Sequence, residues 1–120
     1  MLMRDVAKLV EAEVLAGAGR GDLLIDRAYA VDLLSDVLAL TDERTTLITG
    51  TISPQVLRVA EILNVIAIVF VRGKRPTASM IAHAEELGIP LLTTKKTMFE
   101  TCGLMYANGV RPCKNRPFEE

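Results

Sequence analysis

"VIAIVFV" (Val65–Val71) followed by "RGKRPTASMI" (Arg72–Ile81) decides the fold. The first seven residues are apolar without alternation and rich in β-branched side chains. A strand exposed on one face would alternate polar and apolar; a continuous run reads as a strand covered on both faces. It stops at a loop with three cations, Arg72, Lys74 and Arg75. "TASMIAHAEELG" (Thr77–Gly88) then has helical spacing and a terminal glycine.

The pattern repeats on either side. "TTLITG" predicts a strand ending at Gly50. "SPQVLRVAEILN" predicts a helix with Ser53 as N-cap, Pro54 in the first turn and Asn64 closing it in a left-handed turn. After Gly88, "IPLLTT" is a further strand, and Thr97 with Glu100 forms a T-x-x-E capping box for a helix reaching about Asn108–Gly109. The second half is thus β-α-β-α-β-α with short links. Such a chain builds a parallel sheet with helices on both faces, joined by right-handed crossovers. The expected class is α/β.

Upstream, "VDLLSDVLAL" (Val31–Leu40) is a helix by the spacing of Leu33, Leu34, Val37 and Leu38. Asp5 is expected to cap a helix through about Ala12, with short strands near Glu13–Ala16 and Arg27–Ala30 and a turn at "GAGRGD" (Gly17–Asp22) between them. The last ten residues, "RPCKNRPFEE", read as an extended tail after one domain over residues 1–110.

Composition sets outer limits. The chain has 120 residues, enough for one domain with a core of its own. Half of them are hydrophobic but only 4% are aromatic, with no Trp, so the core is aliphatic. Net charge is −1 and the sequence pI about 5.9, which leaves no chain-wide footprint for nucleic acid. Cys102, Cys113 and one histidine give neither a zinc pattern nor a disulfide framework, and point to a reducing compartment. The opening "MLMRDVAKLVEAEV" is neither a signal peptide nor a membrane span. A cytoplasmic protein without membrane or nucleic-acid partners is expected.

In parallel sheets, ligands bind beyond the carboxyl ends of the strands. Three such ends are legible: Thr49–Ser53, Arg72–Thr77 and Thr93–Thr97. Five of the fourteen Lys and Arg residues lie on the second and third. If those strands are neighbours, the loops and the helix starts beside them suit a phosphate or carboxylate. The candidate ligand-binding residues are Thr51, Ser53, Arg72, Gly73, Lys74, Arg75, Thr94, Lys95 and Thr97. The plainer reading is that loop cations keep the domain soluble while Ser53 and Thr97 merely cap helices. Sequence alone favours that reading, because loops are the ordinary home of charge.

Other motifs carry less. "GAGRGD" puts Asp22 where a dinucleotide fingerprint needs its third glycine, and no G-x-x-x-x-G-K-[ST] occurs. His83 should be exposed and lacks a partner, and Cys102 reads as a small core residue. Asp32 and Asp36 read as helix-start carboxylates. No metal constellation, cofactor motif or catalytic set can be assembled, so no enzyme is expected.

"AYAVDLLSDVLAL" (Ala28–Leu40) and the run from Gly50 to Tyr106 resemble the DRTGG domain family, and are similar to the N-terminal domain of bacterial HPr kinase/phosphorylase. The likeness covers roughly Val14 to Tyr106. It is carried by "DLLSDVLA", by the "RGKRP" turn, and by "GIPLLTT" followed by Thr97, Phe99 and Glu100. The namesake Asp-Arg-Thr-Gly-Gly string is absent; Gly73 keeps the turn and Lys74 stands at the second glycine. The resemblance implies a three-layer α/β/α sandwich with a mainly parallel sheet of about five strands. It also implies a non-catalytic regulatory or ligand-sensing module that self-associates and binds a small anion such as a nucleotide. Surplus apolar residues on the helix Ser53–Asn64 (Val56, Leu57, Val59, Ala60, Ile62 and Leu63) favour a homodimer as well. Two alternatives stand beside this reading. One is an accessory subunit binding a partner protein in an iron-only hydrogenase-type redox system, without a small ligand. The other is a small enzyme acting on a phosphorylated metabolite through Lys74, Arg75 and Lys95.

Overall fold

The Val65–Val71 run becomes β4 (Ala67–Phe70), with all four residues buried. In the computed structural model, which describes residues 1–40 and 44–113, β4 lies inside the sheet. The other elements, in chain order, are α1 (Met3–Leu9), β1 (Glu13–Ala16), β2 (Arg27–Ala30), α2 (Leu34–Leu40), β3 (Thr46–Thr49), α3 (Pro54–Ile62), α4 (Ala78–Leu87), β5 (Leu91–Thr93), α5 (Met98–Ala107) and β6 (Arg111–Pro112).

The sheet order is β1-β5-β4-β3-β2-β6. Thr46–Thr49 of β3 pair in register with Ala67–Phe70, and Ile68–Phe70 pair with Leu91–Thr93, all parallel. Among the described strands only β1 runs antiparallel, along β5, with a bulge between Val14 and Ala16. Successive strand side chains point to opposite faces. Leu47, Ile68, Phe70 and Leu91 meet Val37, Val56, Leu57, Met80 and Ala84 of α2, α3 and α4. Ile48, Val69, Val71 and Leu92 meet Met3, Val6 and Met105 of α1 and α5. The result is the expected three-layer α/β/α sandwich.

The structure departs from sequence expectation at several ends. Helix α1 begins at Met3 with Leu2 at its N-cap and no side-chain cap, so Asp5 sits in the first turn instead of capping it. There its carboxylate still complements the helix dipole. Helix α2 begins at Leu34, later than Val31, because the Val31 N–H donates to the Ile48 carbonyl and extends the β2–β3 pairing. Beyond residue 110 the chain adds a sixth strand: β6 pairs parallel with β2, and the Cys113 N–H donates to Ala28 O. The remainder of the expected tail, 114–120, lies outside the described residues.

Helix α3 does not have the surplus that its sequence promises. Val56, Leu57, Val59 and Ala60 are buried, Leu63 packs on the same cluster, and only Ile62 stands out, 70% exposed. Packed among its neighbours, α3 uses more than one face.

Candidate functional site

Strands β3, β4 and β5 are adjacent and parallel, so their carboxyl ends share one rim. The two cationic turns there are stitched together by backbone. The Arg72 N–H donates to Lys96 O at 2.8 Å and the Gly73 N–H to Thr94 O at 2.9 Å. The Thr93 hydroxyl donates to Lys74 O at 2.6 Å, and the Thr94 hydroxyl to Val10 O at 2.6 Å. Arg72 and Gly73 both adopt positive φ, 60° and 70°, which turns the chain sharply at the strand end.

Between these turns lies a cavity of about 400 Å³ lined by charged and hydroxyl-bearing residues. Gly73, Arg75, Thr94 and Lys95 line it among the residues singled out from sequence, joined by Thr93 and Lys96. Its remaining wall is acidic: Glu11 comes from the link between α1 and β1, and Glu13 is the first residue of β1. Arg75 pairs with Glu13 in a two-pronged contact, Nη1 to Oε1 at 3.1 Å and Nη2 to Oε2 at 3.3 Å. Lys96 Nζ lies 2.9 Å from Glu11 Oε2. Hydrogen bonding and charge from Lys96 hold the Glu11 carboxyl below its usual range, and Arg75 does the same to Glu13. Glu11 in turn raises Lys96, and Glu13 raises Arg75. Among the described residues, Lys74 and Lys95 have no carboxylate partner.

The other sequence candidates surround the cavity without lining it. Arg72 turns toward the end of β3, where its Nη2 lies 3.8 Å from Asp32 Oδ2. Asp32 does not cap α2; its Oδ1 accepts from the Gly50 N–H at 2.8 Å and from the Thr49 hydroxyl at 3.1 Å. Thr51 donates its hydroxyl to Asp32 O. Ser53 accepts from the Gln55 N–H and caps α3. Thr97 accepts from the Glu100 N–H while Glu100 Oε1 accepts from the Thr97 N–H, the full capping box of α5. The contact with Thr97 keeps the Glu100 carboxyl below its usual range.

Sequence reasoning missed Glu11 and Glu13, and gave Asp32 a helix-start role in place of its part at the rim. They arrive at the rim from segments far from it along the chain, and nothing in their own neighbourhoods announces that. Glu11 does have φ of 54°, uncommon for a side-chain-bearing residue, but this shows only in the fold. His83 is half-buried on α4, not exposed as expected, and makes no hydrogen bond or ion pair among the described residues. Burial raises the Cys102 thiol above its usual range, which opposes a nucleophilic role. No helix of the described residues is long and apolar enough to cross a membrane.

No family model matches the sequence, and no curated protein matches it. The fold does match a solved structure: the CBS and DRTGG domains of the regulatory region of Clostridium perfringens pyrophosphatase, complexed with its activator, diadenosine tetraphosphate. The TM-score is 0.70 at 16% sequence identity, over 87% of this chain and 45% of that one. The chain thus spans less than half the length of that solved chain, and the likeness is one of fold: a DRTGG-like α/β sandwich.

Proposed function

We propose that this chain is a regulatory module of the DRTGG family, a single non-catalytic domain that senses a small phosphate-bearing anion, a nucleotide foremost. The observation that carries the reading is the placing of Arg75, Lys95 and Lys96 around one cavity between two hydrogen-bonded turns. Lys95 is uncommitted, and Arg75 has a planar fork of the kind that grips a phosphate, which a ligand would take over from Glu13. Arg72, Lys74, Thr51, Ser53 and Thr97 then shape the rim instead of touching the ligand. That the structurally similar regulatory region holds a nucleotide activator supports the ligand class. In the same reading the module self-associates and works in the reducing cytoplasm, where Cys102 and Cys113 remain thiols.

A thermal-shift series with inorganic phosphate, AMP, ATP and diadenosine tetraphosphate tests this. A ligand at a hundred times its dissociation constant stabilises the fold by about 2.7 kcal/mol. In a domain of this size that raises Tm by about 10 °C. Arg75→Ala/Lys95→Ala should abolish the shift. No shift from any of these anions, or a shift that survives the double substitution, would overturn the reading.

A further inference from the structure

Helix α5 carries more apolar surface than the described residues cover. Its inner side buries Met105 and packs Met98 and Leu104 against the sheet and α1. Phe99 remains 88% exposed and Tyr106 60% exposed. With Cys102 and Gly103 they form an i, i+3, i+4, i+7 stripe along one side of the helix. Beside that stripe a groove of about 490 Å³ runs between α5 and strands β2 and β6. Its strand wall has the small side chains of Ala28 and Ala30, which leaves room for a bulky guest.

Gly103 sits in the middle of the stripe. Glycine inside a helix destabilises it relative to alanine. A Cβ built at Gly103 meets nothing within 4 Å, so no contact among the described residues requires the missing side chain. Bare backbone at the centre of an exposed apolar stripe suits close approach by another element from outside.

We infer that a second copy of this chain docks here, α5 against α5, antiparallel about a two-fold axis at Gly103. This rests on the self-association part of the proposed function and gives it a surface. A two-fold interface presents the same patch twice, so the patch must contain both halves of every contact. This one does. Phe99, four residues before Gly103, is a projecting knob; the groove beside Tyr106 and Ala107, three and four residues after it, is the slot.

Charge favours the antiparallel sense over the parallel one. Glu100 stands on the first turn of α5, and its Oε1 serves Thr97 while Oε2 accepts no bond among the described residues. Arg111 lines the opposite end of the groove, its guanidinium carbon 4.6 Å from the centre of the Tyr106 ring. An antiparallel copy keeps the two Glu100 carboxylates apart, toward opposite ends of the interface. A parallel copy would set like charges together. Extension of the sheet at β6 is disfavoured because Pro112 has no N–H to donate, so contact comes through the helix face.

Sedimentation equilibrium from nanomolar to high micromolar protein tests the assignment. Wild type should form a dimer. Phe99→Asp and Gly103→Leu should each weaken it at least a hundredfold, and Arg111→Glu at least tenfold, with far-UV circular dichroism unchanged. Gly103→Ala should raise the Tm of the dilute monomer yet weaken the dimer, a split that a purely structural role for this position would not produce. Alkylation of Cys102, which lines the groove, should slow as wild type dimerises. A dimer indifferent to Phe99→Asp and Gly103→Leu would overturn this surface and leave self-association standing. A wild-type protein monomeric at every concentration would overturn both.

Discussion

The guanidinium of Arg72 occupies the place where a side chain on Gly50 would begin: a Cβ there would lie 2.6 Å from Arg72 Cζ. The glycine ending β3 therefore makes room for the first cation after β4, and Asp32 ties the two together by accepting from the Gly50 N–H and facing Arg72. Arg72 holds this position with φ of 60°, a left-handed conformation that a Cβ-bearing residue enters at a penalty of about 1–2 kcal/mol. The side chains of Arg72 and Asp32 are each nearly half exposed, so their attraction alone offsets little of that.

Arg72→Gly and Arg72→Ala separate backbone from side chain. Both lose the guanidinium, and only alanine retains the steric penalty. Glycine gives part of its advantage back through greater freedom in the unfolded chain. The glycine variant should therefore be more stable than the alanine variant by about 1 kcal/mol. Urea denaturation at neutral pH measures the gap. Equal midpoints would mean that the loop relaxes out of the left-handed region once the arginine is gone.

Acid should loosen the cavity wall before it loosens the core. Glu11 and Glu13 have folded-state carboxyl pKa values below the ordinary 4.5, through Lys96 and Arg75 respectively. Between the folded and unfolded values the unfolded chain binds more protons, so stability rises with pH there. The contribution is fully present above about 4.5 and is lost as pH falls through the depressed values. Glu11→Gln/Glu13→Gln should thus show a shallower loss of stability on acidification below pH 4.5 than wild type. Denaturant midpoints across the acid range give both curves, and parallel curves would remove these pairs as the source.

The sequence was most legible where a single residue type dictates local geometry. Ser53 and Thr97 cap the helices assigned to them, because a hydroxyl before a helical run has a free N–H to satisfy. The unbroken Val65–Val71 run announced an internal strand, because only helices on both faces leave no place for polar alternation. Legibility failed where distant segments meet. Nothing around Glu11 or Glu13 says that β1 runs back along β5 and carries them to Arg75 and Lys96. The apolar surplus on α3 misled for the same reason: α2 and α4 flank it, which is a fact of topology, not of composition. On α5 the surplus at Phe99 and Tyr106 is uncovered, although its sequence looked no more exposed.

Lys95 and Thr97 decide between a solvated loop and a binding loop. Two residues apart, they have opposite structural commitments: Thr97 completes the capping box of α5, while Lys95 lines the cavity without a carboxylate partner. Thr97→Ala removes a cap and should lower stability by about 1 kcal/mol. It should leave anion affinity almost unchanged, because Thr97 does not line the cavity. Lys95→Ala breaks no ion pair and should leave stability within about 0.5 kcal/mol of wild type, the usual range for a surface substitution. If the cavity takes a phosphate-bearing ligand, the same substitution should weaken binding roughly tenfold, the loss of one charged hydrogen bond. Denaturant titration and calorimetry with ATP read the two quantities independently. Should Lys95→Ala alter neither, the lysine only solvates its loop, and the cationic turns would be explained by solubility alone.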